Sequence, residues 1–224
     1  MKSWLARLLL LAALAALIAT SSGALGIAQP GAARAQQIDR LTQEAKRRWD
    51  IQIHGHSALG KLHRLAGDAT LRRLLASRNV GAMRSYVHRT YPRVWYHWHV
   101  SCVRVLRGSR LLAEAGVPFC VAPVQMNLRG AHGRYLGTLQ VSIQDVIGYV
   151  RLMHRNYPVD VIVRGRGAAH VKTSLGHENA GLVRHARLPN AGRTTIAGRR
   201  YNTRSFTATA LGGEPVRIWI LQHA

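Results

Sequence analysis

Acidic residues are scarce in this sequence, which has 9 Asp and Glu against 32 Lys and Arg and a formal net charge of +23. The acids stand singly along the chain, so no spacing predicts the paired carboxylates of general acid–base catalysis. The positive charge would draw the protein toward an anionic polymer, such as a cell-wall polymer, lipid head groups or nucleic acid. Because only four of the basic residues are lysine, the arginine excess of a GC-rich genome explains the charge equally well.

Cysteine occurs only twice, as Cys102 and Cys120, and both fall in segments that the pattern predicts as strands. There is therefore no Cys-x-x-Cys pair. In an oxidising compartment the two thiols could form a disulfide, which would stabilise the fold by about 3 kcal/mol. The alternative is a pair of buried small hydrophobic side chains, since free cysteine is often interior.

Complete catalytic motifs are also missing, although three fragments of such motifs occur. Gly55-His-Ser-Ala-Leu59 lacks the final glycine of a nucleophile elbow. His177-Glu178 is followed by Gly181 where a zinc protease needs its second histidine, and Gly165-Arg-Gly-Ala-Ala-His170 lacks the third glycine of a dinucleotide loop. We therefore expect no enzyme activity and no cofactor.

Histidine pairs leave metal binding as a weaker alternative. His54 and His56 are two residues apart, as are His97 and His99 on a predicted strand, so each pair would share a face. Neutral imidazoles can bind zinc or copper, but the surrounding arginines repel cations and no carboxylate stands near either pair. We expect no metal site.

The N-terminus has the layout of an export signal. Lys2 and Arg7 precede an uncharged run over residues 8–33, and Ala33-Arg34-Ala35 offers small residues for cleavage. The sequence therefore predicts a signal peptide over residues 1–35 and a secreted or extracytoplasmic protein. The alternative is a signal-anchor that holds the N-terminus in the membrane, because the run is long enough to span a bilayer at about 20 residues.

The rest of the chain changes from helical to extended periodicity near residue 94. Residues 36–56 predict a short amphipathic helix with a linker, and residues 57–224 predict one domain. Asp68, Asn79 and Asp145 stand where helices should begin, and Tyr91-Pro92 where one should end. Strands are predicted at residues 100–106, 111–112, 119–129, 135–143, 159–164, 201–208 and 216–221, whereas residues 176–200 are predicted as loop with room for one short strand.

Short turns between these strands imply antiparallel pairing, because parallel neighbours need long crossovers. The predicted fold class is therefore α+β, an antiparallel sheet with N-terminal helices and one helix between strands. In the strands at 119–129 and 135–143 an apolar face alternates with a face that carries Gln125, Asn127, Thr138, Gln140 and Ser142.

Residues 59–221 resemble the extracytoplasmic PAS-like sensor domains known as Cache domains. The likeness rests on the helical lead-in, the strand pair of residues 99–116 around its Arg107-Gly108-Ser109 turn, and the Gly-x-Leu-x-x-Ser-Ile pattern at residues 137–143 that runs into a helix. The resemblance implies a PAS-like sheet with a pocket on one face that binds a small molecule without chemistry. It also implies a membrane or signalling partner, because typical members are fused to a transmembrane helix and an output module.

The ligand class does not carry over, since the amino-acid-recognition signature of the family is not intact here. We expect the ligand to contact Tyr96, Trp98 and Tyr149 as aromatic walls, and Gln125, Gln144 and Asp145 as polar groups. Several of these residues have a plainer use. Tyr96 and Trp98 belong to an aromatic cluster with Tyr91 and Trp95, and this cluster could build the corner between helix and strand. Asp145 could serve only as an N-cap, and Gln125 could face solvent.

A basic surface protein that binds an anionic polymer is the alternative to a sensor domain. The same aromatic cluster lies beside Arg89 and Arg93, an arrangement that can stack the bases of single-stranded nucleic acid. Salt separates the two functions, because polymer binding weakens steeply through counterion release whereas a buried pocket is screened much less.

Overall fold

The computed structural model describes residues 30–224, in which helices come first and strands predominate after residue 101. Residues 37–224 form one compact unit. Most of the predicted signal peptide, residues 1–29, lies outside the described residues. Between residues 30 and 224, no helix combines the length and the apolar character needed to cross a bilayer.

Four helices precede the sheets in the part of the chain that the structure describes. Their bounds are Pro30–His54 (α1), His56–Ala66 (α2), Ala69–Ala76 (α3) and Val80–Thr90 (α4). The first helix is longer than the short helix and linker that were predicted over residues 36–56, and only Gly55 separates it from α2. A Cβ at Gly55 would lie only 2.5 Å from the carbonyl oxygen of Ile51, so the close approach of the two helices requires glycine.

The helix starts at Asp68 and Asn79 are confirmed as N-caps. Asp68 Oδ1 accepts a hydrogen bond from Leu71 N at 2.9 Å, and Asn79 Oδ1 accepts one from Ala82 N at 2.9 Å. The predicted stop at Tyr91-Pro92 is confirmed for the α-helix, which ends at Thr90 with Tyr91 as its C-cap, but the chain continues in other helical forms. Pro92 lies in the first turn of a π-helical segment, Tyr91–Trp95, where a missing N–H costs little, and a 3₁₀ turn, Tyr96–Trp98, follows.

The strands form two antiparallel sheets. The first has the order β2-β1-β4-β3, and the second has the order β6-β5-β9-β8-β7. Bounds in the first sheet are Cys102–Arg107 (β1), Arg110–Gly116 (β2), Val124–Arg129 (β3) and Tyr135–Ser142 (β4). Bounds in the second are Asp160–Arg164 (β5), Val171–Thr173 (β6), Ala191–Ile196 (β7), Arg199–Thr209 (β8) and Pro215–His223 (β9).

The α+β class is confirmed, and its strands are divided between two sheets that the sequence analysis did not separate. A helix over Val146–Asn156 (α5) connects the sheets and begins at the predicted Asp145 cap. Residues 176–200 were predicted as loop with room for one short strand, and strand β7 lies there. The short helix Ala180–His185 (α6) in the same segment was not predicted.

Each sheet buries apolar side chains against its own helices. Helices α2 to α4 cover the first sheet, where Leu62, Leu71, Val103 and Leu139 are at most 1% exposed. Helices α1 and α5 cover one face of the second sheet, and their contacts are formed by fully or almost fully buried residues, among them Trp49, Tyr149, Val161 and Ile218. The other face of that sheet packs Ile162, Tyr201 and Trp219 against Val183 of α6.

Residues 119–121 run between the two sheets, and we call this segment the seam. Phe119, Cys120 and Val121 are at most 3% exposed, and they lie outside β3, which begins at Val124 instead of the predicted 119. One side of the seam bonds to the chain that enters α5, and the other side bonds to the β8–β9 connection. The hydrogen bonds join Val121 N to Gln144 O (3.0 Å), Val146 N to Phe119 O (3.1 Å) and Leu211 N to Cys120 O (2.9 Å).

The Tyr149→Phe substitution tests the packing of α1 on α5. Tyr149 is fully buried, its Oη donates to Ala45 O at 2.7 Å, and its ring meets Trp49 edge-on at 4.9 Å. Losing the hydroxyl should lower the free energy of unfolding by about 1 kcal/mol in urea titrations. Tyr96→Phe is the control, because Tyr96 is 60% exposed and its substitution should change stability little. Equal stability of both variants would contradict this packing.

Candidate functional site

Three of the six predicted ligand residues, Tyr96, Gln144 and Asp145, line one cavity of about 550 Å³, which we call the Tyr96 cavity. It lies at the end of the first sheet, where β4 leads into α5. The remaining lining residues are Tyr91, His97, His99, Val100, Ser101, Val117 and Ile143. The cavity thus combines aromatic rings with a small number of polar groups, as small-molecule sites do.

Tyr91 fixes the aromatic side of the cavity. Its hydroxyl donates to the carbonyl oxygens of Ser101 at 2.8 Å and Val100 at 3.1 Å, and its ring meets Tyr96 at 6.3 Å. Burial raises the pKa of Tyr91 to about 12, so the hydroxyl stays protonated and remains a donor. Gly116 passes close by with φ +117°, and a Cβ there would lie 2.3 Å from Ser101 O.

Gln144 and Asp145 form the polar side. Asp145 Oδ1 accepts from Gly148 N at 2.9 Å, which confirms the predicted cap of α5. Gln144 Nε2 lies 3.2 Å from the carbonyl oxygen of Asp145 and 3.3 Å from its Oδ1. A Cβ at Gly148 would lie 2.1 Å from Gln144 Nε2, so glycine leaves room for this folded side chain. The Asp145 carboxylate is therefore largely used by the helix, and Gln144 can exchange its contacts for a ligand.

The turn between α4 and β1 brings two histidines into the cavity. His97 and His99 were predicted on a strand, but they lie in this turn, where His99 has a left-handed conformation at φ 56°. The His97 ring lies 5.9 Å from that of Tyr96. Within residues 30–224 no group of three or more His, Cys, Asp or Glu side chains could hold a metal ion.

The other three predicted ligand residues lie elsewhere. Trp98 packs against the core of the first sheet beneath Arg64, whose guanidinium carbon is 3.6 Å from the ring centroid. Gln125 lines a separate cavity of about 450 Å³, where its Oε1 accepts from Gln140 Nε2 at 2.9 Å. Tyr149 is a core residue that lines none of the described cavities, because α1 covers it completely.

Sequence reasoning missed Tyr91, Ser101 and Val117 as cavity residues. Tyr91 was assigned only to the aromatic cluster, because its proline neighbour was taken as a helix stop. The available signal was the run Tyr91-Pro-Arg-Val-Trp-Tyr96, which places rings five residues apart around a proline. In a π-helical turn, residues i and i+5 are joined by a backbone hydrogen bond, so two rings with this spacing lie on the same side of the turn.

Cys102 and Cys120 share one small buried cluster with Leu211, and both are free thiols. The Cys120 thiol donates to Val117 O at 3.2 Å, and Cys102 Sγ lies 3.9 Å from Glu114 Oε1. Burial raises the pKa of Cys102 to about 12 and also raises the pKa of Cys120. The disulfide between them stays a prediction.

Comparison with known proteins shows the fold. No family model matches the sequence, and the curated proteins contain no match. Two crystal structures of the periplasmic domain of Vibrio cholerae LuxQ are similar to this chain, each with a TM-score of 0.50 and 11% sequence identity. Each match covers 85% of this chain, and the matches cover 100% and 98% of the two LuxQ chains. The extracellular domain of the putative histidine kinase vpHK1S-Z8 matches at 0.45 and 10% identity, over 88% of this chain and 97% of that one. The PAS-like fold that the resemblance implies is thereby confirmed.

Native thiol reactivity tests the burial of the cysteines. At pH 8 iodoacetamide should label neither Cys102 nor Cys120 in the folded protein, since each is almost fully buried with a raised pKa. Both should be labelled once the protein is unfolded under reducing conditions. Cys102→Ser and Cys120→Ser variants, each with one thiol, assign the label by mass spectrometry. Labelling of the folded protein as fast as of the unfolded protein would contradict the buried cluster.

Proposed function

We propose that this protein is an extracytoplasmic, non-catalytic sensor domain that binds a small molecule in the Tyr96 cavity. The observation that carries the proposal is the convergence of Tyr96 with the adjacent pair Gln144 and Asp145, which follow it almost 50 residues later in the sequence, on one cavity. The fold shared with the LuxQ periplasmic domain supports the sensor class. The predicted signal peptide supports export.

The lining favours a planar ligand with hydrogen-bonding groups at its edge. Tyr96 is 60% exposed and stands free to stack on a ring, while Tyr91 meets it edge-on. The Gln144 amide and the Ser101 hydroxyl offer both donors and acceptors. A volume of about 550 Å³ suits a ligand the size of a single nucleobase or a small aromatic acid.

The position of Gln144 offers a route from ligand to signal. Its side chain lines the cavity, while its carbonyl accepts the seam hydrogen bond from Val121. A ligand that pulls on Gln144 would strain that bond and the start of α5. A signalling partner in the membrane would then respond to a displacement of α1 and α5, the helices that cover one face of the second sheet.

Polyanion binding remains a second candidate, because nine carboxylates cannot offset 32 basic side chains. One experiment separates the candidates. Purified protein is screened by thermal shift against amino acids, carboxylates, nucleotides and purines, with heparin as a polymer, at low and moderate salt. Sensor binding predicts small-molecule shifts that salt changes little, whereas polymer binding predicts a heparin shift that salt abolishes.

A double substitution, Tyr96→Ala with Gln144→Ala, tests the site. It should abolish the thermal shift that the screen finds, because it removes the exposed Tyr96 ring and the Gln144 side-chain amide from the cavity, and the variant should remain folded by circular dichroism. Gln125→Ala is the matched control, since Gln125 lines a different cavity and its loss should leave the shift intact. A shift retained in the double variant, or lost in Gln125→Ala, would refute the assignment.

A further inference from the structure

A second cavity of about 410 Å³ lies at the second sheet and shares no lining residue with the Tyr96 cavity. We call it the Asp160 cavity. Its walls come from α5, the start of β5, the segment after β6, the β7–β8 hairpin and the end of β9. Leu175, Ile196 and Ala197 supply its apolar wall.

Asp160 places a carboxylate in this cavity although the residue is only 7% exposed. Its Oδ1 accepts from Ser174 Oγ at 2.9 Å and lies 3.2 Å from His154 Nδ1. The nearest cationic or imidazole nitrogen to Oδ2 is Nε2 of His223 at 3.7 Å, which is longer than a hydrogen bond. One oxygen is thus satisfied by the protein, and the other is left for a donor in the cavity.

Tyr201 gives an independent sign that the cavity has an occupant. The residue is fully buried and lines the cavity, and within residues 30–224 its hydroxyl makes no hydrogen bond of normal length and angle. Burial raises the pKa of Tyr201, and the side chains of Asp160 and Arg199 lie near enough to interact with its hydroxyl. Tyr201 stands directly opposite His223 in the β8–β9 register. A buried hydroxyl without a partner costs about 1–3 kcal/mol, so a ligand that bonds to it recovers that free energy.

The rim carries a second carboxylate. Glu178 folds back over Gly176, where an added Cβ would lie 2.2 Å from Glu178 Oε1. Gly176 itself has φ +94°, so the turn that holds Glu178 at the cavity favours glycine. Arg199 also lines the cavity and lies near the Tyr201 hydroxyl, but this residue is exposed, whereas Asp160 is buried. The buried part of the cavity therefore favours a cation over an anion.

We propose that the Asp160 cavity is a second binding site, which takes an aliphatic primary amine in its protonated form. An ammonium group carries three donors and no acceptor, and the buried end of the cavity presents Asp160 Oδ2 and Tyr201 Oη as acceptors. The alkyl chain then lies along Leu175 and Ile196. This site is independent of the Tyr96 cavity and does not rest on its function.

The test is isothermal titration of the full chain with butylamine, butanol and butyrate at neutral pH. Butylamine should bind, and butanol and butyrate should not, because only the amine offers a cation to the buried carboxylate. Asp160→Asn should weaken butylamine binding about 100-fold, and Tyr201→Phe about tenfold. Tyr201→Phe keeps the proposal testable should Asp160→Asn fail to fold, since the hydroxyl makes no bond that the fold needs.

The double variant Tyr96→Ala with Gln144→Ala should bind butylamine as the unmodified protein does. That result separates failure of this site from failure of the proposed sensor site. Preferential binding of butyrate, equal binding of all three compounds, no binding of the amine at millimolar concentration, or unchanged binding in Tyr201→Phe would each overturn the proposal.

Discussion

The backbone hydrogen bonds of the seam hold the architecture together. Residues 119–121 form isolated bridges outside the named strands, and their amides and carbonyls bond to the α5 entry on one side and to the β8–β9 connection on the other. Because the seam is buried, any of these groups left without a partner would cost free energy. The two sheets are therefore bound into one unit, and Gln144 of the Tyr96 cavity is fixed by the same bonds.

Local features of this fold could be predicted from the sequence. The caps at Asp68, Asn79 and Asp145 depend on side chains that bond to amides three residues away, so neighbouring residues alone determine them. The β1–β2 hairpin follows from Gly108, which adopts φ 59° in the turn. Features set by distant contacts could not be predicted in this way. The division into two sheets is one, because it depends on the seam meeting Leu211 about 90 residues later.

The same distinction between local and distant contacts applies to the residues of the candidate sites. Tyr96 and Gln144 both line the Tyr96 cavity, at the point where an aromatic cluster meets a strand-to-helix junction. Tyr149 lies in the core instead, because in sequence a helix face looks the same whether it meets a ligand or the α1 helix. Asp160 was overlooked as a single acid, although it opens the apolar strand Asp160–Arg164, and a carboxylate in a strand buried on both faces needs partners from elsewhere in the fold.

Native-state hydrogen exchange of the seam tests the central claim most directly. The amides of Val121, Val146 and Leu211 form the bonds that join the two sheets. If these bonds hold the sheets as one cooperative unit, the three amides exchange only through global unfolding, with the same free energy as the central strands β1 and β9. Exchange of the seam at a much lower free energy, while both sheets stay protected, would show that the sheets open independently and would contradict the account.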